Sequence, residues 1–166
     1  MAVSNVKGFM WICLLVVLTT GCARHIVSQE ARQRARTDAT LPLVLNYPND
    51  YIGSNVIWGG SVVKAVPGQD RIRFMVLERP LDERGRPIIQ ADSRGQFILE
   101  SVKSLDPGVL SSGRMLTVAG EIVALESFPS ARGQRTYPVV YVDELYVFGK
   151  ELYEIVGTYR LGPSRY

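Results

Sequence analysis

The 166-residue chain is poor in the residues from which most catalytic and metal sites are built, with one histidine, two cysteines and two tryptophans. The lone imidazole, His25, lies three residues beyond Cys22. A Ser-His-Asp or Cys-His device needs its imidazole held rigidly beside the nucleophile, and zinc needs three or four His, Cys or carboxylate ligands. The inventory supplies neither, so no catalytic residue, cofactor or metal is expected. No glycine-rich loop follows a strand and opens a helix, which leaves nucleotide chemistry without its cradle. Internal repeats and low-complexity tracts are missing as well. So is a strong charge of one sign: the formal net charge is only +3, and a phosphate-tracking surface needs a larger basic stripe, so no nucleic-acid partner is expected.

A long apolar run is also lacking. The longest, Phe9 to Leu18, is about half of the ~20 residues that cross a bilayer as a helix. Ahead of it the only charges are the amino terminus and Lys7, and behind it come Thr19, Thr20 and Gly21. This is the order of a secretory signal. The sequence Leu-Thr-Thr-Gly-Cys, Leu18 to Cys22, resembles the bacterial lipobox, with Thr19 where leucine is usual. That resemblance implies cleavage between Gly21 and Cys22, a diacylglyceryl group on Cys22 and an acylated new amino terminus. Ala23, unlike an aspartate there, implies passage to the outer membrane. The alternatives are a buried core helix, which should show a 3.6-residue period that this segment lacks, and an ordinary signal that leaves a free thiol. Cleavage removes Cys13, so no internal disulfide is possible, and two or more acyl chains give stable attachment.

About 145 residues remain, one domain's worth. Residues 22 to 46 carry Arg24, Arg32, Arg34 and Arg36 against Glu30 and Asp38. They read as an Arg-rich tether near anionic head groups, partly helical around Ser28 to Arg36. From 47 to 149 the pattern becomes β. Strands are expected at Asn55 to Val66, Asp70 to Glu78, Gln96 to Val102, Arg114 to Leu125 and Pro138 to Phe148. A Pro67-Gly68 turn joins the first two, and Gly59-Gly60 suggests a bulge or sharp coil. A helical turn is expected after Pro107. Three strands, a short helical connection and two strands is the order of a small five-stranded antiparallel OB-like barrel, with an open antiparallel sheet or sandwich as the rival. The tail from 150 to 166, "KELYEIVGTYRLGPSRY", is too polar for core and too aromatic for plain disorder.

The segments "YIGSNVIWGGSVV", "VLERPLDERGRP", "DSRGQF", "LDPGVLSSGRMLTVAGEI" and "YPVVYVDELYVF", in that order behind a lipobox, resemble the Slp family of outer-membrane lipoproteins, named for a starvation-inducible member. The resemblance implies a lipid-anchored, periplasm-facing protein with a non-enzymatic structural or partner-docking role in the envelope, related to starvation or stress. It supplies no catalytic residues.

Two other readings rest on side chains. Trp58, Tyr137, Tyr141 and Tyr146 could form an aromatic surface for an envelope glycan or protein partner, although alternation with Val56 and Val62 also makes Trp58 a core residue. Asp82, Glu83, Asp92 and Asp106 could pair as a hydrolase acid and base. Each also sits beside Gly, Pro or Ser, where Asp caps turns: Asp82 with Arg86 as a loop ion pair, and Asp106 as an N-cap before Pro107.

Overall fold

Alternating side chains in the β-rich half become six strands among the described residues of the computed structural model, which are 25–66, 68, 71–101, 108–130, 133–149 and 155–160. The strands are β1 (Asn55–Val66), β2 (Ile72–Arg79), β3 (Gln96–Ser101), β4 (Met115–Ser130), β5 (Gly133–Phe148) and β6 (Ile155–Arg160). β1 pairs antiparallel with β2 and β4, β2 with β3, and β4 with β5. Parallel pairing of Ile98, Leu99 and Glu100 with Val139, Val140 and Tyr141 then joins β3 to β5 and closes a five-strand ring. The OB-like strand order is therefore present, and the closing pair departs from the wholly antiparallel expectation.

Strand alternation fills the ring: Val56, Trp58, Val76, Phe97, Leu99, Leu116, Val118, Val140 and Val142 are buried in one cluster. Gly59-Gly60 does not form a bulge; the register shift comes later, between Val62 and Lys64. Gly60 instead permits close strand approach, since a Cβ there would overlap the Leu77 carbonyl, and Gly120 does the same against the Tyr141 carbonyl. Gly120 also sits at a register shift of β4 against β5, where an extra residue bends the strand.

Residues 126–130 and 133–137, between the expected fourth and fifth strands, continue β4 and β5, which stay paired from Leu125–Pro138 out to Ser130–Gly133. Part of the 150 to 166 tail is β6, an edge strand on the second half of β5, with Tyr159 packed against the core. Residues 108–110, where a helical turn is expected after Pro107, form a turn.

The reading of residues up to 46 as a spacer is corrected, because the described part of that segment is folded onto the barrel. α1 (Gln29–Arg34) is capped by Ser28, whose Oγ accepts from the Ala31 amide at 3.1 Å. Val27 and Ala31 pack on Ala119 and Tyr146. α2 (Leu41–Asn46) and α3 (Pro48–Tyr51) follow, with Leu41 and Val44 fully buried in the main core. Burying such side chains contributes about 1.5–3 kcal/mol each, too much for a loose linker to forgo.

Polar contacts fasten the same segment. Glu144 of β5 accepts from the Ser28 amide at 3.2 Å and from the Tyr146 hydroxyl at 2.7 Å. Burial opposes its ionisation, but these hydrogen bonds and the charge of Arg160 outweigh it and hold the carboxyl below the ordinary range. Arg34 lies 3.5 Å from the buried Asp143 carboxylate.

Candidate functional site

The four aromatic residues proposed as a surface are distributed over separate parts of the molecule. Trp58 is inside the ring, edge-on to Phe97 at 5.4 Å, and its indole N–H donates to the Ala39 carbonyl at 2.9 Å. Tyr137 is buried in a small second cluster beside Phe128. Tyr146 is buried under α1. Tyr141 alone is half-buried, with the Arg71 guanidinium 6.0 Å above its ring. No shared stacking face results: the three tyrosines leave β5 on the side away from the main core, but Tyr137 and Tyr146 are covered there by two separate clusters.

The carboxylate pair fares similarly. One oxygen of Asp82 accepts from the Arg84 and Arg86 amides at 2.9 and 2.8 Å, and the other lies 3.9 Å from Arg86 Nε. This is a turn cap with its ion pair. Glu83 and Asp92 are exposed, while Asp106, Gly21 and Cys22 lie outside the described residues. His25 Nδ1 accepts from the Val27 amide at 3.0 Å, and its ring fills the space that a Cβ at Gly85 would need. Burial and the neighbouring charge of Arg32 lower its pKa, so the imidazole is neutral near pH 7. Among the described residues no cluster of three His, Cys, Asp or Glu converges as for a metal, and no helix is long and apolar enough to cross a membrane.

The site that emerges instead is a groove of about 710 Å³ on the outer face of the ring, where Arg71, Arg73 and Glu100 on the β2–β3 side face Glu121, Val123, Ala124 and Glu126 of β4. In OB folds the face of the second and third strands, which supplies one side of this groove, binds oligonucleotides and oligosaccharides. Its floor is ionic. Arg73 and Glu100 are cross-strand partners, both side chains one-tenth exposed, with Arg73 Nε 3.2 Å from Glu100 and Nη2 2.6 Å from Glu126. Arg71 Nη1 donates to the other Glu100 oxygen at 2.6 Å. Glu121 adds a further carboxylate to the wall. The groove thus offers paired donors and acceptors with little net charge, a chemistry suited to hydroxyls, amides or a partner's own ion pairs.

Arg71, Arg73 and Met75 alternate with Ile72, Phe74 and Val76 in the sequence, which marks one face of a strand but not a site. The signal was a second alternation, Ile98 with Glu100 on β3, and only the register of β2 on β3 brings the two sets together.

The model of the outer-membrane lipoprotein Slp family matches residues 19–164, nearly the whole chain. The chain belongs to the Slp family of outer-membrane lipoproteins. It is 34% identical over 79 residues to the uncharacterized lipoprotein YeaY of Escherichia coli (strain K12), a match covering 48% of this chain and 40% of that relative. The chain therefore spans less than half the length of that relative. Among solved structures, the mitochondrial single-stranded DNA binding protein Rim1 of S. cerevisiae is similar at 9% identity and a TM-score of 0.36, covering 57% of this chain and 94% of that one. The small single-stranded DNA-binding protein of Streptomyces coelicolor follows at 15% identity and a TM-score of 0.32, covering 65% and 94%. Overlaps this loose carry neither ligand nor activity to this chain. The family match places the protein at the outer membrane as a lipoprotein, in a family not known for catalysis.

Proposed function

We propose that this family member is a non-enzymatic envelope protein, held on the periplasmic side of the outer membrane by lipid on Cys22, whose β2–β3 groove docks an envelope partner. The starvation or stress role implied by the family's naming belongs to the same proposal. One observation carries the reading: the groove on the outer face of the OB-like ring is floored by Arg-Glu ion pairs. The family match, starting at residue 19, takes in Gly21 and Cys22 and supports the anchor. The glycan-binding alternative loses its aromatic face, because Trp58, Tyr137 and Tyr146 are buried.

Intact-mass spectrometry of protein extracted from outer membranes tests the anchor. The wild type is expected to begin at an acylated Cys22, and Cys22→Ser to persist with its leader uncut and unmodified. A wild-type chain with an unmodified Cys22 overturns it. Docking is tested by cross-linking in intact envelopes: Glu126→Arg should abolish a crosslinked species formed by the wild type, and an unchanged pattern removes the groove from the proposal.

A further inference from the structure

A second cavity, of about 380 Å³, lies where the N-terminal segment crosses the ends of β1 and β2. Its apolar walls include Ile57, Trp58 and Leu81, and four arginines line it: Arg32, Arg36, Arg79 and Arg94. One carboxylate, Glu78, stands against them. Three arginines have structural partners that fix their positions. Arg94 binds the fully buried Glu78, Arg36 reaches both oxygens of Asp38, and Arg79 donates to the Ala91 carbonyl. Arg32, on the exposed face of α1, forms no side-chain ion pair among the described residues.

Neutral His25 adds no further charge to this wall. The cavity therefore keeps a surplus of positive charge against an apolar wall, which concentrates the field inside it. Guanidinium groups bind phosphate through parallel N–H donors, and the apolar wall suits hydrocarbon attached to that phosphate. Its volume lies within the roughly 300–1,000 Å³ usual for small-molecule sites.

Chain length adds a second constraint. His25 lines the cavity and follows Cys22 by three residues, and three residues span at most about 11 Å however they are arranged. With Cys22 anchored, this cavity opens within reach of the lipid head groups.

We propose that the cavity binds a phosphate carried on a hydrocarbon tail, the chemistry of an anionic lipid headgroup, and so orients the domain against its membrane. Its location at the bilayer rests on the Cys22 anchor proposed above, whereas the binding chemistry does not. The two therefore fail separately: an unmodified Cys22 removes the anchor, while the titration below reads the cavity in detergent, without a bilayer.

The full chain carrying Trp11→Phe, which leaves Trp58 in the cavity wall as its only indole, is titrated in neutral detergent with dioctanoyl phosphatidic acid, inorganic phosphate and dioctanoylglycerol. Phosphatidic acid should shift Trp58 emission saturably, with the other two binding at least ~tenfold more weakly, the difference expected from one charge-assisted contact or a few buried methylenes. Arg32→Glu should weaken phosphatidic acid binding by ~tenfold or more, Arg32→Lys should keep most of it, and Arg135→Glu on the β4–β5 hairpin should leave it unchanged. Binding of dioctanoylglycerol as tight as phosphatidic acid, inorganic phosphate as tight as phosphatidic acid, or an Arg32→Glu variant that binds like the wild type overturns the proposal.

Discussion

The groove on the β2–β3 face and the cavity beneath the N-terminal segment are both lined by arginine, and they differ in what answers it. In the groove Arg71 and Arg73 meet Glu100 of the adjacent β3, and Arg73 also meets Glu126 of β4. In the cavity four arginines meet two carboxylates, Glu78 in the wall and Asp38 beside Arg36. A matched set of buried ions contributes little net stability, yet removing one member leaves the others uncompensated at considerable cost. A surplus has no such internal duty, so its charge is available to something outside the chain. Burial and pairing thus separate arginines that hold the structure from those that can recognise a ligand.

Four measurements break or sharpen that contrast. The largest effect is expected from Glu100→Gln, which removes the charged carboxylate shared by Arg71 and Arg73 and should lower stability by about 3 kcal/mol in urea unfolding. Next comes Arg94→Gln. It leaves Glu78, 1% exposed, with the Arg94 amide as its remaining donor, and a loss of about 2 kcal/mol is expected in the same assay. Acidification should act third, and on the cavity side first. His25 has a lowered folded-state pKa, so its contribution is complete above the unfolded value of about 6.5 and declines as pH falls below it. Glu144, which binds Ser28 ahead of α1, also has a lowered pKa, so its contribution is complete above about 4.3 and is lost as pH falls through the folded value. Amide protection over residues 25–36, measured against the intrinsic exchange rate at each pH, should therefore fall on acidification before protection in β1 and β4 does. His25 acts first, below about pH 6.5, and Glu144 second, below about pH 4.3. Smallest of all, Arg32→Gln should change stability by less than ~0.5 kcal/mol, as for an exposed residue with no structural pairing.

Much of the barrel was legible because strands announce themselves by a period of two and by turns between them. "DRIRFMVLE" alternates visibly, and "NVIWGGSVVKAV" gave β1 with its observed limits. Trp58 was readable as core for the same reason. The N-terminal segment was not, since α1, α2 and α3 span six, six and four residues, too few turns to display a 3.6-residue period beside a run of arginines. Leu41 and Val44 lie three apart, a spacing that a loop could equally show. The arginine sites were hidden for a different reason: a charge on the polar face of a strand looks solvated until strand register supplies its partner, and Arg73 and Glu100 lie 27 positions apart in the numbering. The tyrosines misled because residue type does not reveal whether a second layer covers a sheet.

The parallel pairing of β3 with β5 bears on how the chain becomes native after export. The β4–β5 hairpin is zipped by neighbours in sequence, from Ser130 against Gly133 outward. The closing contact must unite Ile98 with Val139, some forty residues apart, and so carries the larger loop-closure entropy. Hairpin assembly therefore comes early and ring closure late, as for other topologies dominated by distant pairings. Until closure, Ile98 and Val139, almost wholly inaccessible in the finished ring, face solvent as sticky strand edges, the interval in which a folding assistant would matter most to this protein.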